Sequence, residues 1–234
     1  MLKPKRVTLF AGHYGSGKTN IAVNYALYLK RSGKPVSIGD LDIVNPYFRT
    51  KDSAKELADA GIELISPAFA NSNVDLPALP KELYRLVQVR DVYAVLDIGG
   101  DDRGAYALGR YTPSILEEAD YEMIFVANFA RPLTRSAKEA LEVMREIEYA
   151  GKIPFTAIVN NTNIGYETTE KTVFNSMVLA DELSELSGLP ILFTSAEKRV
   201  AENLKIDNVF PLELQKKLYH NSLQMQRKKF AVFL

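Results

Sequence analysis

Residues 7–19 constrain this chain more than any other stretch. A short apolar run, Val7–Phe10, leads directly into Gly12-His13-Tyr14-Gly15-Ser16-Gly17-Lys18-Thr19, and an amphipathic helical pattern follows. The octet fits the phosphate-loop pattern G-x-x-x-x-G-K-[ST] in its proper setting, between a strand and a helix. Glycines let successive backbone N–H groups turn inward around phosphate oxygens, and the helix start adds the positive end of its dipole. Lys18 is the residue to reach the terminal phosphates, and the Thr19 hydroxyl the one to ligate Mg²⁺. The whole run from Gly12 to Asn20 is the candidate binding segment.

The rest of the chain repeats the strand-then-helix theme. Seven β-rich runs are expected at Arg6–Phe10, Pro35–Asp40, Ile62–Ile65, Tyr93–Asp97, Tyr121–Ala127, Phe155–Asn160 and Ile191–Ser195. Between them, helical periodicity marks Thr19–Arg31, Glu82–Val89, Ser136–Ala150 and Thr169–Ser187. Gly33, Gly151 and Gly188 stand where these patterns stop, which is C-cap chemistry. Such alternation implies βαβ units and an α/β fold: one doubly wound, mostly parallel seven-stranded sheet with helices on both faces. The Pro- and Asn-rich stretch Ala68–Pro80 reads as an irregular loop. With no linker, repeat or low-complexity tract, residues 1–234 are expected to form a single domain.

Composition removes several chemistries. There are no cysteines and only two histidines, so thiol catalysis, Cys-ligated metals and His-rich sites are out, and carboxylate and hydroxyl oxygens suited to Mg²⁺ remain. Lys+Arg and Asp+Glu are both 29, so broad electrostatic binding to nucleic acid is not expected. No run approaches 18 apolar residues and no targeting segment is visible, which makes the expected location cytoplasmic.

Two acidic strand ends complete the reading of the residues. Asp40-Leu41-Asp42 closes the second strand, on the side of a parallel sheet where ligands bind. Asp42 is placed to orient a water near a terminal phosphate and to contribute to the metal site; the alternative is that these aspartates cap the following turn. Tyr93-Ala94-Val95-Leu96-Asp97-Ile98-Gly99-Gly100 is an apolar strand ending in Asp, the Walker B pattern, with Asp97 toward Mg²⁺ and the Gly100 N–H able to sense a terminal phosphate.

Together these motifs resemble the MinD/ParA/CobQ branch of P-loop NTPases, within the SIMIBI class. Leu189–Ser195, with Val200 and Ala201, is similar to that family's late strand near the nucleotide base. The resemblance covers nearly the whole chain. It implies a Mg²⁺-dependent ATPase acting as a switch on a protein partner, often as a homodimer with ATP at the interface, with Lys18 and Asp42 catalytic and Thr19, Asp42 and Asp97 at the metal. Some relatives are ligases or kinases acting on small molecules. It also implies that Asn160 meets the adenine edge. A GTPase reading treats Asn160–Asn163 as an altered Asn-Lys-x-Asp motif, but Asn163 lacks the acceptor-only carboxylate that guanine's two N–H groups require; a GTP-dependent metallochaperone is further disfavoured by the scarcity of His and Cys. One position departs from the family. Its second lysine, directly after the first glycine, is His13 here, a residue mostly neutral at pH 7. Arg49, Arg103, Arg131 and Arg135 are the candidate substitutes, and sequence alone singles out none. Tyr47 and Phe48, beside Asp42, are candidates for the partner surface. The C-terminal tail carries Lys216, Lys217, Arg227, Lys228 and Lys229 among apolar residues. It reads as a docked helix, with contact to a membrane surface as the alternative.

Overall fold

The computed structural model describes residues 3–42, 50–66, 81–100 and 102–214. Thus the Ala68–Pro80 loop, Tyr47, Phe48, Arg49, Asp101 and the C-terminal tail lie outside the described residues, as does the side chain of Arg103.

The chain opens with β1 (Val7–Ala11), α1 (Lys18–Arg31) and β2 (Val36–Leu41). It continues through α2 (Ala54–Asp59), β3 (Glu63–Ile65), α3 (Lys81–Gln88), β4 (Tyr93–Ile98), α4 (Asp102–Leu108) and α5 (Thr112–Glu118). It ends with β5 (Tyr121–Ala127), α6 (Ala137–Gly151), β6 (Ala157–Asn160), α7 (Glu170–Ser187), β7 (Ile191–Glu197), α8 (Lys198–Ala201) and β8 (Val209–Leu212). All strand pairs are parallel, in the order β3-β2-β4-β1-β5-β6-β7-β8. Among the described residues the sheet therefore has eight strands, not the expected seven. The eighth, Val209-Phe210-Pro211-Leu212, contains a proline, which argues against a strand in sequence but is tolerated at an edge, where one side of the backbone needs no partner.

β1 lies between β4 and β5, and every residue in it is buried. Its side chains alternate between two cores: Val7, Leu9 and Ala11 pack with α3 to α7, and Phe10 packs with α1 and Leu57 of α2. This is the two-faced coverage that makes strands of a parallel sheet read as continuous apolar runs. α6 and α7 start at Ser136 and Thr169, each closed by a reciprocal capping box. Gly188 ends α7 at φ 73°, as the sequence suggests. Gly151 does not end α6: it is the last helical residue, its missing side chain accommodating Leu108, and Lys152 takes the left-handed position at φ 54°.

The N-terminal end of β1 is tied down by an arginine. Arg6 is buried, pairs with Glu118 at 2.6 Å and donates to the carbonyls of Leu86, Val87, Val89 and Val92. One guanidinium thus joins β1 to the ends of α3 and α5 and the approach to β4. Truncating Arg6 would leave buried Glu118 with only the exposed Arg90, 3.5 Å away, and would take the guanidinium donor from four carbonyls, a cost of about 3–5 kcal/mol. Arg6→Ala is expected to lower Tm by roughly 6–20 °C at this chain length. Arg85→Ala, which removes an exposed pair with Glu63, should cost no more than about 1 kcal/mol. Thermal melts of both variants check the contrast, and equal losses would mean that Arg6 is no structural tie.

Candidate phosphate-binding site

The end of β1 turns into a loop that is almost entirely backbone. Ser16 N–H donates to the His13 carbonyl at 3.1 Å, and Gly17 precedes α1 at φ 91° without any side-chain cap. No acidic residue stands in the first turn of α1. The N-terminal donors and dipole of the helix therefore meet no side-chain cap and no acidic residue in its first turn, an arrangement suited to an anion. Gly17 could hardly be another residue: besides its positive φ, a Cβ there would lie 2.2 Å from Asn161 Nδ2. Lys18 is buried, with Nζ 3.3 Å from the His13 carbonyl oxygen. Tyr14 is exposed, and Asn20 is half-buried, its carbonyl accepting from Asn24.

Two neighbouring strands bring the carboxylates. Asp40 in β2 and Asp97 in β4 are register partners, and Asp40 Oδ1 accepts from the Asp42 N–H at 2.9 Å. The turn-capping role thus falls to Asp40, while buried Asp42 lies close enough to Asp97 to disfavour its ionisation and packs its Oδ1 beside Gly99. Asp97 is fully buried. Thr50 Oγ1 donates to its Oδ2 at 2.9 Å, and its Oδ1 has no hydrogen-bond partner. Burial pushes its pKa up to about 6, Asp42 adds to the rise, and Lys18 with the Thr19 and Thr50 hydroxyls opposes it. A buried, partnerless carboxylate oxygen beside a threonine hydroxyl and a second carboxylate is an oxygen donor set that fits Mg²⁺. Asp97, Thr19 and Asp42 are the residues that would hold it.

Gly100 comes as close to the loop as backbone can. A Cβ at this position would stand 2.7 Å from Lys18 Nζ and 2.8 Å from Tyr14 N. Any side chain there would push the loop after β4 away from the phosphate loop.

On the other side of β1, the ends of β5 and β6 brace the loop. Asn161 Nδ2 donates to the Ser16 carbonyl at 2.7 Å, and its Oδ1 accepts from Ser195 at 2.9 Å. Asn163 Nδ2 donates to the Asn161 carbonyl at 2.9 Å. Asn128, fully buried after β5, accepts from Ala130 N, and Thr134 donates to its carbonyl. Asn160, expected to meet a base, is fully buried: Nδ2 donates to Ser176 on α7 and Oδ1 accepts from Thr162 N and Oγ1. Both ends of its amide are engaged inside the fold, so it supports the loop from beneath; the expectation of a base contact does not match this geometry. Its successor Asn161, one residue past the strand, faces the phosphate loop instead. Nothing in the run Asn160–Asn163 distinguishes the two roles by composition. Thr50 had no sequence signal at all.

His13 is half-buried. Desolvation, then the nearby charges of Lys18 and Arg131, lower its pKa, so in the ligand-free site it is not a second cation. Arg131 does approach: its Nε donates to the Gly15 carbonyl at 2.9 Å. Arg135 is exposed, with no hydrogen bond or ion pair to the described residues.

No family model and no curated protein matches the sequence. Solved structures do match the fold. The signal recognition particle receptor FtsY from Elizabethkingia anophelis is 18% identical, with TM-score 0.58 over 88% of this chain and 62% of that one. The cell division protein FtsY from Thermotoga maritima is 18% identical, with TM-score 0.57 over 84% of this chain and 63% of that one. The signal recognition particle 54 kDa protein from Aeropyrum pernix K1, solved in complex with GDP, is 15% identical, with TM-score 0.51 over 82% and 41%. The chain thus spans less than two thirds of the length of these proteins. The likeness is one of fold: a parallel α/β sheet covered by helices. No helix among the described residues is long and apolar enough to cross a membrane.

The raised Asp97 pKa has a stability consequence. Between about pH 4 and 6 the native state holds a proton that the unfolded state has lost, so this carboxyl makes the ligand-free protein less stable as pH rises through that window. A rise of this size corresponds to about 3 kcal/mol. Asp97→Asn should therefore gain on the parent between pH 4.5 and pH 7.5, by an amount on the order of 2–3 kcal/mol in urea melts. A gap between the two proteins that does not change with pH would show that Asp97 ionises without penalty.

Proposed function

We propose that this protein is a Mg²⁺-dependent nucleoside triphosphatase, with ATP as its nucleotide, whose phosphate loop and Gly99-Gly100 loop form a switch read by a protein partner. One observation carries the reading: Lys18, the buried Asp97 and Asp42, and Gly100 converge on an uncapped helix start after β1. A bound Mg²⁺ would supply charge neutralisation at the terminal phosphates. The chain's own parts are separable. Backbone N–H groups from His13 to Thr19 hold the phosphates, with Gly12 allowing the loop to start. Lys18 draws negative charge and Asp42 orients the attacking water. Gly100, already against Lys18, reports the presence of a terminal phosphate to the surface. The MinD/ParA resemblance adds self-association with nucleotide at the interface, and a cytoplasmic setting, to the proposal.

The base choice rests on Asn163. With Nδ2 committed to Asn161, its amide has one acceptor left, which suits the single exocyclic amine of adenine better than the paired N–H groups of guanine. Guanine is the second reading, favoured because a protein of similar fold was solved with GDP.

At a concentration about 100 times Kd, Mg-ATP should stabilise the fold by roughly 2.7 kcal/mol, or about 5–10 °C in Tm. A melting curve unmoved by millimolar Mg-ATP and Mg-GTP would sink the nucleotide reading; a shift with GTP alone would reassign the base. Lys18→Ala should lose affinity and turnover together. At saturating Mg²⁺, Asp42→Ala should keep nucleotide affinity while single-turnover hydrolysis falls by about 10²-fold or more. If Asp42→Ala turns over at the parent rate, the water is oriented elsewhere or the acceptor is a second substrate.

A further inference from the structure

We infer that Arg131, on the loop after β5, is the second phosphate-binding cation of this site and acts in cis, on the nucleotide held by its own chain. The inference rests on the nucleotide reading above and adds a residue to it.

Four observations single out this arginine. Its Nε donates to the Gly15 carbonyl, so the guanidinium is anchored to the phosphate loop itself rather than to a distant surface. Its plane lies against Gly15: a Cβ there would stand 3.4 Å from Nε and 3.6 Å from Cζ. No acidic residue among the described residues pairs with it, and its two terminal nitrogens make no hydrogen bond to them, so its charge and its fork of donors remain available. Finally, the segment that carries it is pinned. Arg131 N donates to the Asn128 carbonyl, which also accepts from Thr134, and Phe129 N donates to Thr162.

Charge balance gives the arginine a task. A nucleoside triphosphate in such loops is commonly met by more than one cation besides Mg²⁺. Lys18 is one. The position after Gly12 holds a half-buried histidine among positive neighbours, a poor place for another. A guanidinium can spend Nε on a carbonyl and still offer two parallel N–H groups to one phosphate, which a lysine ammonium cannot do. In hydrolysis, the water oxygen forms a bond to the γ-phosphorus as the β–γ bridging P–O bond breaks. The electron pair goes to the diphosphate, and the water proton leaves with the released phosphate. Arg131 transfers no proton; it stabilises the negative charge that moves toward the bridging oxygen.

The test uses the full chain with Arg131→Gln and Arg131→Lys. Glutamine can still donate to the Gly15 carbonyl, so the nucleotide-free Tm should stay within about 1–2 °C of the parent, a surface-sized effect. Single-turnover hydrolysis should fall by about 10²–10³-fold in both variants, lysine giving no rescue. By calorimetry, Mg-AMP-PNP affinity should drop about tenfold while Mg-ADP affinity moves less than about threefold, a split that a bracing role alone does not produce. Mixing Arg131→Gln with Lys18→Ala should restore nothing. Parent-like hydrolysis and AMP-PNP binding in Arg131→Gln, in a protein whose parent is stabilised by Mg-ATP, overturns the inference alone. Recovery on mixing overturns its cis character. A parent that no nucleotide stabilises overturns the underlying reading, and the inference with it.

Discussion

A loop that wraps an anion with its own N–H groups can keep that shape only if the backbone around it comes equally close. The structure meets this demand on three sides of the residue 12–19 loop. Gly12 lies against β5, where a Cβ would meet the Val126 carbonyl at 2.5 Å; Gly17 lies against Asn161; Gly100 lies against Tyr14 and Lys18. Apart from the Lys18 ammonium, these are contacts of main chain with main chain or with a short amide, which leave little slack. The all-parallel sheet makes them possible, because it brings the C-terminal ends of β4, β1, β5 and β6 to one rim. The two apolar cores hold that rim in register, and the buried Arg6–Glu118 pair ties down the opposite end of β1.

The same closeness makes the site electrostatically costly. Asp97 is buried beside Asp42, and its charge is opposed by desolvation before any ligand arrives. Lys18, Thr19 and Thr50 offset part of that cost without saturating the carboxylate, whose Oδ1 stays without a partner. Stability is given up locally at this carboxylate, a trade of the kind found where a group is held in a state that folding alone would not favour. The histidine after Gly12 follows the same rule in the opposite sense: a neutral ring is the stable form between Lys18 and Arg131.

The loop octet, the Asp40-Leu41-Asp42 step and the Asp97-to-Gly100 run were legible because each is a local pattern whose chemistry depends on adjacent residues. The fold class was legible for a related reason, since apolar runs alternating with helical periods admit few parallel arrangements. β8 was not, because a proline weakens the local strand signal and only its place at the sheet edge excuses it. Asn160 and Asn161 show the limit most clearly. One closes β6 and the other is the next residue, and that single step sends one amide to Ser176 and the other to Ser16.

By itself, then, the sequence determined the glycine-rich turn from Gly12 to Thr19, the carboxylates at the strand ends beside it and the layered parallel sheet, since these arise from neighbours in the chain and from periodicities of two and 3.6 residues. Only the tertiary structure decided which groups brace and complete the loop. Asn161 reaches Ser16 across 145 residues, Arg131 reaches Gly15 across 116, and Thr50 reaches Asp97 across 47. Each of those contacts exists because strands distant in sequence end on the same rim. No local pattern encodes which side chain, among several of the same type, will be standing there.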